Sequence, residues 1–351
     1  MARRSLRRLG LIVVTVVVAV LVAFVPLLGV DLYLHGKYQK SAGFNVWGYR
    51  GPTVGRKQPG EYRVAVLGGS TAFGYGVDWV DSIPAMLERD LAPRADARRS
   101  YRVLNLGYNN EGAYSFRFTL EDYRWLHYDL VCLYEGYNDV LGENTSVFRR
   151  DSPIFRLTGY LPISPIIFKE KAALLTAGNI NDMYLFKGKT VFHPTIAART
   201  SAGALRTAAG VEESLERQLS NVVPVVDARA NRRLADTGCT EDWQRYCHSI
   251  GVAVDYALAQ DAQVLVITQP YELGPYMADH HREQQHEMSA MLQRRFGRDP
   301  RVRYVNLGPA VDLDDSRLSY DHMHLTAAGN AVIAGALVQP VLEMSQVRQQ
   351  P

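Results

Sequence analysis

Cysteine is scarce: the 351-residue chain has only three. That number excludes a disulfide scaffold and a Cys-ligated zinc protein. A large excess of one charge is missing too. The formal net charge of +3 is too small to imply nucleic acid as a partner, and several of the basic residues sit in the first ten positions. There is no internal repeat, and the Gly68–Gly76 turn has neither the Gly-Lys-Ser/Thr nor the G-x-G-x-x-G spacing of a nucleotide-binding loop. What remains is a globular composition, 47% hydrophobic and 21% charged, sufficient for one large domain or two small ones.

Arg3, Arg4, Arg7 and Arg8 precede an apolar run from Leu9 to Val30 that stops at Asp31. About 20 residues let a helix cross a bilayer. A cleaved signal peptide has a shorter apolar core of about 7–15 residues and small residues at the cut. This run instead closes on Phe24-Val25-Pro26-Leu27-Leu28-Gly29-Val30 with no A-x-A site. The expectation is an uncut N-terminal transmembrane helix over residues 1–31, with the cleaved signal as alternative. The arginines stay cytoplasmic, so the rest of the chain lies across the membrane. In a Gram-negative bacterium that is the periplasmic side of the inner membrane. In such an oxidising compartment Cys239 and Cys247 are near enough in sequence to pair, and two free thiols are an equal reading. Cys132 sits in an apolar strand and reads as packing.

Residues 32–60 read as a tether, with turn signals at Gly51-Pro52 and Pro59-Gly60. The folded domain is expected over 61–345. Short apolar runs at Tyr62–Leu67, Arg102–Leu106, Leu130–Tyr134, Gln263–Thr268 and Val302–Asn306 have the length of buried strands. Helical stretches at Ile83–Leu91, Phe116–Leu126, Trp243–Ala259, Glu283–Phe296 and Ala327–Leu342 follow or separate them, the last with Thr326 as its N-cap. That alternation predicts the α/β class: five parallel strands in a flavodoxin-like sheet between two helical layers, α/β/α. Ligands of such sheets bind beyond the carboxyl ends of the strands. The alternation fails at about 141–238, an insertion too long for an ordinary loop. It is either a lid or helical subdomain over the site or a buttress extending the core.

Four segments carry chemistry, each just after a strand. Gly68-Gly69-Ser70 makes a tight strand-to-helix turn that exposes a serine hydroxyl, as nucleophilic catalysis requires. In Tyr320-Asp321-His322-Met323-His324, an aspartate three residues before a histidine can hold one ring nitrogen and leave the other for a serine. The Asp-x-x-His relation selects His324 and leaves His322 as a polar loop residue. Gly136-Tyr137-Asn138-Asp139 offers a side-chain amide for an oxyanion, or plain turn chemistry. Asn105-Leu106-Gly107, continuing to Gly112, brings glycines whose N–H can approach the same place.

Taken in chain order, the four segments resemble the SGNH hydrolase superfamily, also called GDSL esterases, from about Tyr62 to Leu342 apart from the insertion. The resemblance implies Ser70 as nucleophile, His324 as general base and acid, Asp321 as its orienter, and an oxyanion hole from the Ser70 N–H, Gly112 and the Asn138 amide. Family members often space their glycines more closely here, so Gly107 remains the alternative donor. Gly69 stands where the family name has aspartate, which marks a divergent subgroup with nucleophile and base intact. The resemblance further implies a serine esterase needing no metal or cofactor, acting on acyl, above all acetyl, esters of an envelope or exported glycan. Transfer to a glycan hydroxyl, a lipid or lysophospholipid ester, and a non-catalytic envelope scaffold are the alternatives. The partners expected are thus the ester substrate and the membrane.

Asp279, His280, His281 and His286 have metal-like spacing, but a polar stretch entering a helix reads better as a solvated face. Tyr271, Tyr276 and Trp79 are either core or surface aromatics or the lining of a sugar cleft. Glu135 reads as structural.

Overall fold

The computed structural model describes residues 14–15, 25–41, 43–96, 98–134, 136–177, 194–221, 236–271 and 275–347. Most of the run expected as a membrane helix lies outside these residues, as do Glu135 and the Tyr276 side chain. The elements in chain order are α1 (residues 25–37), β1 (Glu61–Gly68), α2 (Ser70–Phe73), α3 (Ile83–Leu91), β2 (Ser100–Asn105), α4 (Ala113–Asp122), β3 (Leu130–Tyr134), α5 (Pro153–Thr158), α6 (Ser164–Ala177), α7 (Ile196–Ser220), α8 (Glu241–Ala259), β4 (Gln263–Thr268), α9 (Pro275–Phe296), β5 (Val302–Asn306) and α10 (Ala327–Val347). They fall into two units, one of residues 1–38 with 152–224, the other of 39–151 with 225–351.

The larger unit holds a five-stranded sheet in the order β2-β1-β3-β4-β5, every pair parallel. This is the flavodoxin-like order expected. β3 and β4 are buried along their whole length and β1 after its first residue, whereas the outer strands β2 and β5 alternate with exposed positions. Only strands covered on both faces need continuous apolar runs. Helices α3 and α10 cover one face, contributing Ile83, Leu87, Leu91, Ile333, Leu337 and Val341 to a core with Val64, Val66, Leu130, Cys132, Leu265 and Ile267. Helix α4 packs on β1 and α8 on β4, and α8 also meets α4 and α9. Cys239 and Cys247 form a disulfide, and Cys132 is buried.

Among the described residues one helix, α10, is long and apolar enough to cross a membrane, but its apolar face is the sheet's own core. The Thr326 hydroxyl accepts the Gly329 N–H at 3.3 Å, as an N-cap should.

The expected tether is a correction. Residues 25–37 are helical, and beyond residue 43 the segment folds onto the sheet unit. Tyr49 and Arg50 are 1% and 4% exposed, and Arg50 N–H donates to Asn105 O at 3.0 Å. The Gly and Pro signals are real turns, but they join buried residues. The insertion is also narrower than 141–238. Residues 141–151 and 236–238 belong to the sheet unit, held by contacts such as Asn144 N–H to Asp139 at 3.0 Å and Arg294 to Thr237 O at 3.2 Å.

The smaller unit is helical. Helices α5 and α6 both pack on α7. Asp31 accepts N–H bonds from Ile163 and Ser164, at 2.8 and 2.6 Å, so it caps the start of α6 from 132 residues away in sequence. The Glu212 carboxylate accepts the Ser164 hydroxyl at 2.6 Å.

Candidate active site

The carboxyl ends of β1, β2, β3 and β4 and the loop after β5 converge on Ser70. Ser70 is the first residue of the single turn α2, so its N–H is one of the donors that a helix start leaves without an intrahelical partner. The turn is tight because Gly68 has no side chain: a Cβ there would lie 2.1 Å from Tyr134 O. The Ser70 hydroxyl is 2.8 Å from His324 Nε2. On the opposite side of the ring, Nδ1 lies 2.7 Å from Asp321 Oδ2.

The protons follow from donor and acceptor chemistry. An ionised carboxylate only accepts, so Nδ1 carries the hydrogen and Nε2 accepts from the Ser70 O–H. Asp321 uses its second oxygen on the loop itself, accepting the N–H groups of His324 at 2.7 Å and Met323 at 3.1 Å. Burial alone would raise the Asp321 carboxyl, but the hydrogen bonds from the His324 ring and backbone hold it below the ordinary value of 3.8. Asp321 and His324 are each 15% exposed at the side chain. His322 has a left-handed φ of 68° and faces Asp314 with its side chain 66% exposed, as a polar loop residue does.

Asn138 lies in the short helical turn after β3, and its Nδ2 donates to Glu111 O at 2.9 Å. Gly112 follows Glu111 and precedes α4. Its lack of a Cβ makes room for the Asp139 carboxylate, which would stand 2.5 Å from one. That carboxylate accepts Ala113 N–H at 2.7 Å, the orphan donor at the start of α4. Gly107 is differently engaged, with its N–H donating to Asn105 Oδ1 at 3.2 Å. Of the two glycines, Gly112 is therefore the one beside the Asn138 amide.

Several supporting residues escaped the sequence reading. Arg50 donates to Phe73 O, Gly74 O and Val77 O at 2.5–2.7 Å, clamping the chain just after α2. Burial pushes its guanidinium down to about 10. Arg149, 2% exposed, donates to Leu106 O and Gly107 O and faces Glu111 at 3.6 Å. Burial pushes the Glu111 carboxyl up, against the Arg149 charge. Tyr320 lies nearly parallel to the His324 ring, 5.8 Å between centroids, and its hydroxyl donates to Tyr75 O at 2.8 Å. The Tyr75 ring is 5.0 Å from His324 on a tilted approach. A tyrosine directly before the Asp-x-x-His segment was the one available sign.

The polar stretch at 279–286 needs correction at one residue: Asp279 and His286 are exposed, as a solvated face is, and His281 is not. His281 is fully buried, its ring against Tyr137 and Tyr271 at 5.1 and 5.8 Å, with neither ring nitrogen hydrogen-bonded. Helix α9 starts at Pro275, eight residues earlier than expected, and holds His281 on its buried side. Tyr271 is half-buried, and its hydroxyl accepts from Asn306 Nδ2 at 3.1 Å. Trp79 packs close to Gly43. Among the described residues no group of three His, Cys, Asp or Glu is placed to hold a metal.

No family model matches the sequence, and no curated protein matches it. Solved structures similar to it include an acetyl xylan esterase from Geobacillus stearothermophilus, 12% identical, covering 81% of this chain and 94% of its own, with a TM-score of 0.42. A family 3 carbohydrate esterase from Clostridium thermocellum is 13% identical over 82% of this chain and 98% of its own, at 0.40. A member of the lipolytic protein G-D-S-L family from Veillonella parvula is 9% identical over 79% and 97%, at 0.40. Likeness at this level carries no argument about the chemistry of this chain, which rests on its own geometry.

Proposed function

We propose that this chain is a serine esterase of the SGNH type. The observation that carries the reading is the unbroken Asp321–His324–Ser70 hydrogen-bond chain at 2.7 and 2.8 Å. Ser70 Oγ attacks the ester carbonyl carbon while its proton passes to His324 Nε2, and Asp321 stabilises the imidazolium. The N–H groups of Ser70 and Gly112 and the Asn138 amide meet the developing oxyanion. Nε2 then protonates the leaving alcohol as the C–O bond breaks. Water next attacks the acyl-Ser70 carbon, losing a proton to Nε2, which returns it to Ser70 Oγ as the acid departs.

In this reading the substrate is an acetyl ester of an envelope or exported glycan. The exposed Tyr320 ring beside His324 suits the apolar face of a sugar. Residues 9–30 hold the domain to a bacterial inner membrane with its site on the far side, a reading supported by the arginine cluster and the length of the run.

Labelling by a fluorophosphonate tests the nucleophile: the wild-type chain reacts and Ser70→Ala does not. Equal labelling of both would sink the assignment. A series of p-nitrophenyl esters of rising chain length tests the substrate, with acetyl preference expected. A preference for long chains would replace glycan by lipid. Hydrolysis measured with and without a glycan acceptor separates an esterase from an acyltransferase.

A further inference from the structure

One buried side chain touches both halves of the site. Gln269 directly follows β4 and is 1% exposed. Its Oε1 accepts the Tyr137 N–H at 2.9 Å, and its Nε2 donates to Thr71 Oγ1 at 2.5 Å. The orientation of this amide is fixed by chemistry. A backbone N–H can only donate, so the oxygen must face Tyr137 and the nitrogen must face Thr71. Thr71 is the neighbour of Ser70, and Tyr137 is the neighbour of Asn138.

Strand pairing does not hold these two neighbours together. The last β1–β3 pair is Gly68 with Tyr134, and the chains beyond it separate into α2 and the Asn138 turn. The turn is pinned from the β4 side as well, since the Tyr137 hydroxyl donates to Pro270 O and Gln284 Nε2 donates to Gly136 O. Those two bonds fix the turn to β4 and α9. Gln269 adds a bond across to the nucleophile turn.

We infer that Gln269 is a positioning residue that sets the distance between the Ser70 nucleophile and the Asn138 oxyanion donor. The inference rests on the esterase reading above. Its physical content is that the attacking oxygen and the amide must meet opposite ends of one carbonyl, where an error of about 1 Å costs on the order of 100-fold in rate. Losing the bridge therefore slows acylation and leaves ground-state binding in place.

The test uses the full-length chain, with p-nitrophenyl acetate kinetics, the rate of fluorophosphonate labelling and the melting temperature read together. Gln269→Met keeps the length of the side chain and removes both bonds. Its kcat and labelling rate should fall about 10- to 100-fold with KM within about twofold. Gln269→Glu should recover part of that loss, because its two oxygens can accept from Tyr137 N–H and from a rotated Thr71 hydroxyl. Thr71→Val cuts the far end alone and carries the test if Gln269→Met does not fold. The double variant should lose no more than the worse single one, since both break the same bridge.

An unchanged kcat in Gln269→Met, a loss confined to KM, or no recovery in Gln269→Glu overturns the inference. A wild-type chain that neither labels nor hydrolyses overturns the esterase reading and this inference with it. Normal wild-type reaction with an equally reactive Gln269→Met overturns this inference alone.

Discussion

Gln263 and Gln269 stand at opposite ends of β4, both buried and both bridging two partners. At the amino end, Gln263 accepts from the Tyr62 hydroxyl at 2.7 Å and donates to Met344 O at 2.8 Å, tying β1 to the end of α10. At the carboxyl end, Gln269 ties the Ser70 and Asn138 turns, which carry the reacting groups of the proposed esterase. The surroundings differ in the same way. Near the start of the strands, Asp129 accepts from Lys57 and from Arg63 N–H, while the Arg63 guanidinium donates to Leu126 O, Gly55 O and Glu61. Every partner there is structural. At the other end the hydrogen-bond chain through Asp321 and His324 finishes on a half-buried hydroxyl that a substrate can reach. Residue type does not distinguish scaffold from chemistry in this sheet. The end of the strand does.

That contrast is easiest to break at the nucleophile. Ser70→Ala and His324→Ala should each lower kcat by about 10⁴-fold or more with little change in melting temperature. Residual activity near wild type would move the chemistry elsewhere. Asn138→Ala should cost about 100- to 1,000-fold in kcat, the usual effect of removing one oxyanion donor. A change confined to KM would argue that its amide only holds the Glu111 carbonyl.

The amino end should behave in the opposite sense. Asp129→Ala strips the acceptor from Lys57 and Arg63 N–H and should lower unfolding free energy by about 2–3 kcal/mol in denaturant titration. Gln263→Met should cost about 1–2 kcal/mol. Both should keep kcat per folded molecule at the wild-type value, and a kcat loss in either would erase the contrast.

A last effect, confined to a pH window, sharpens it. Burial, with Arg282 adding repulsion, pushes the His281 imidazole from an ordinary value of 6.5 down to about 4. Between those values the unfolded chain takes a proton that the folded chain refuses, so stability falls as pH drops from 6.5 toward 4, by at most about 3 kcal/mol. His281→Phe should flatten that part of a melting-temperature-against-pH curve. An unchanged slope would assign the acid sensitivity to other groups. Asp321 works in a lower window: its depressed carboxyl stabilises the fold fully above 3.8, and that contribution is lost as pH falls through the lower folded value.

Much of this was legible in the sequence because it is local. β3, β4 and β5 match their expected runs residue for residue. β3 and β4 are buried on both faces and so write their length into the chain, while the edge strand β5 is shorter in apolar residues but keeps the same bounds. Asp321 and His324 are found by spacing, because the aspartate bonds the histidine three residues on. The bridging and clamping residues are not local. Gln269 reaches Thr71 across 198 residues and Arg149 reaches Gly48 across 101, and nothing near either in sequence hints at those partners. Arg50 was hidden for a related reason: glycines and prolines around it look like a linker, while its burial depends on the α2 carbonyls it meets. His281 sits among polar neighbours, so only the facing of α9 reveals it as interior.

The bond from His324 to Ser70 spans 254 residues, and this has a consequence for the timing of synthesis. A ribosome finishes the Ser70 turn well before the His324 loop, which follows β5 and precedes α10. Until residues 319–325 emerge, the growing polypeptide carries a serine with no proton acceptor beside it. In the proposed esterase turnover thus waits for the His324 loop, and a fragment truncated before residue 319 would be inert without any separate inhibitor.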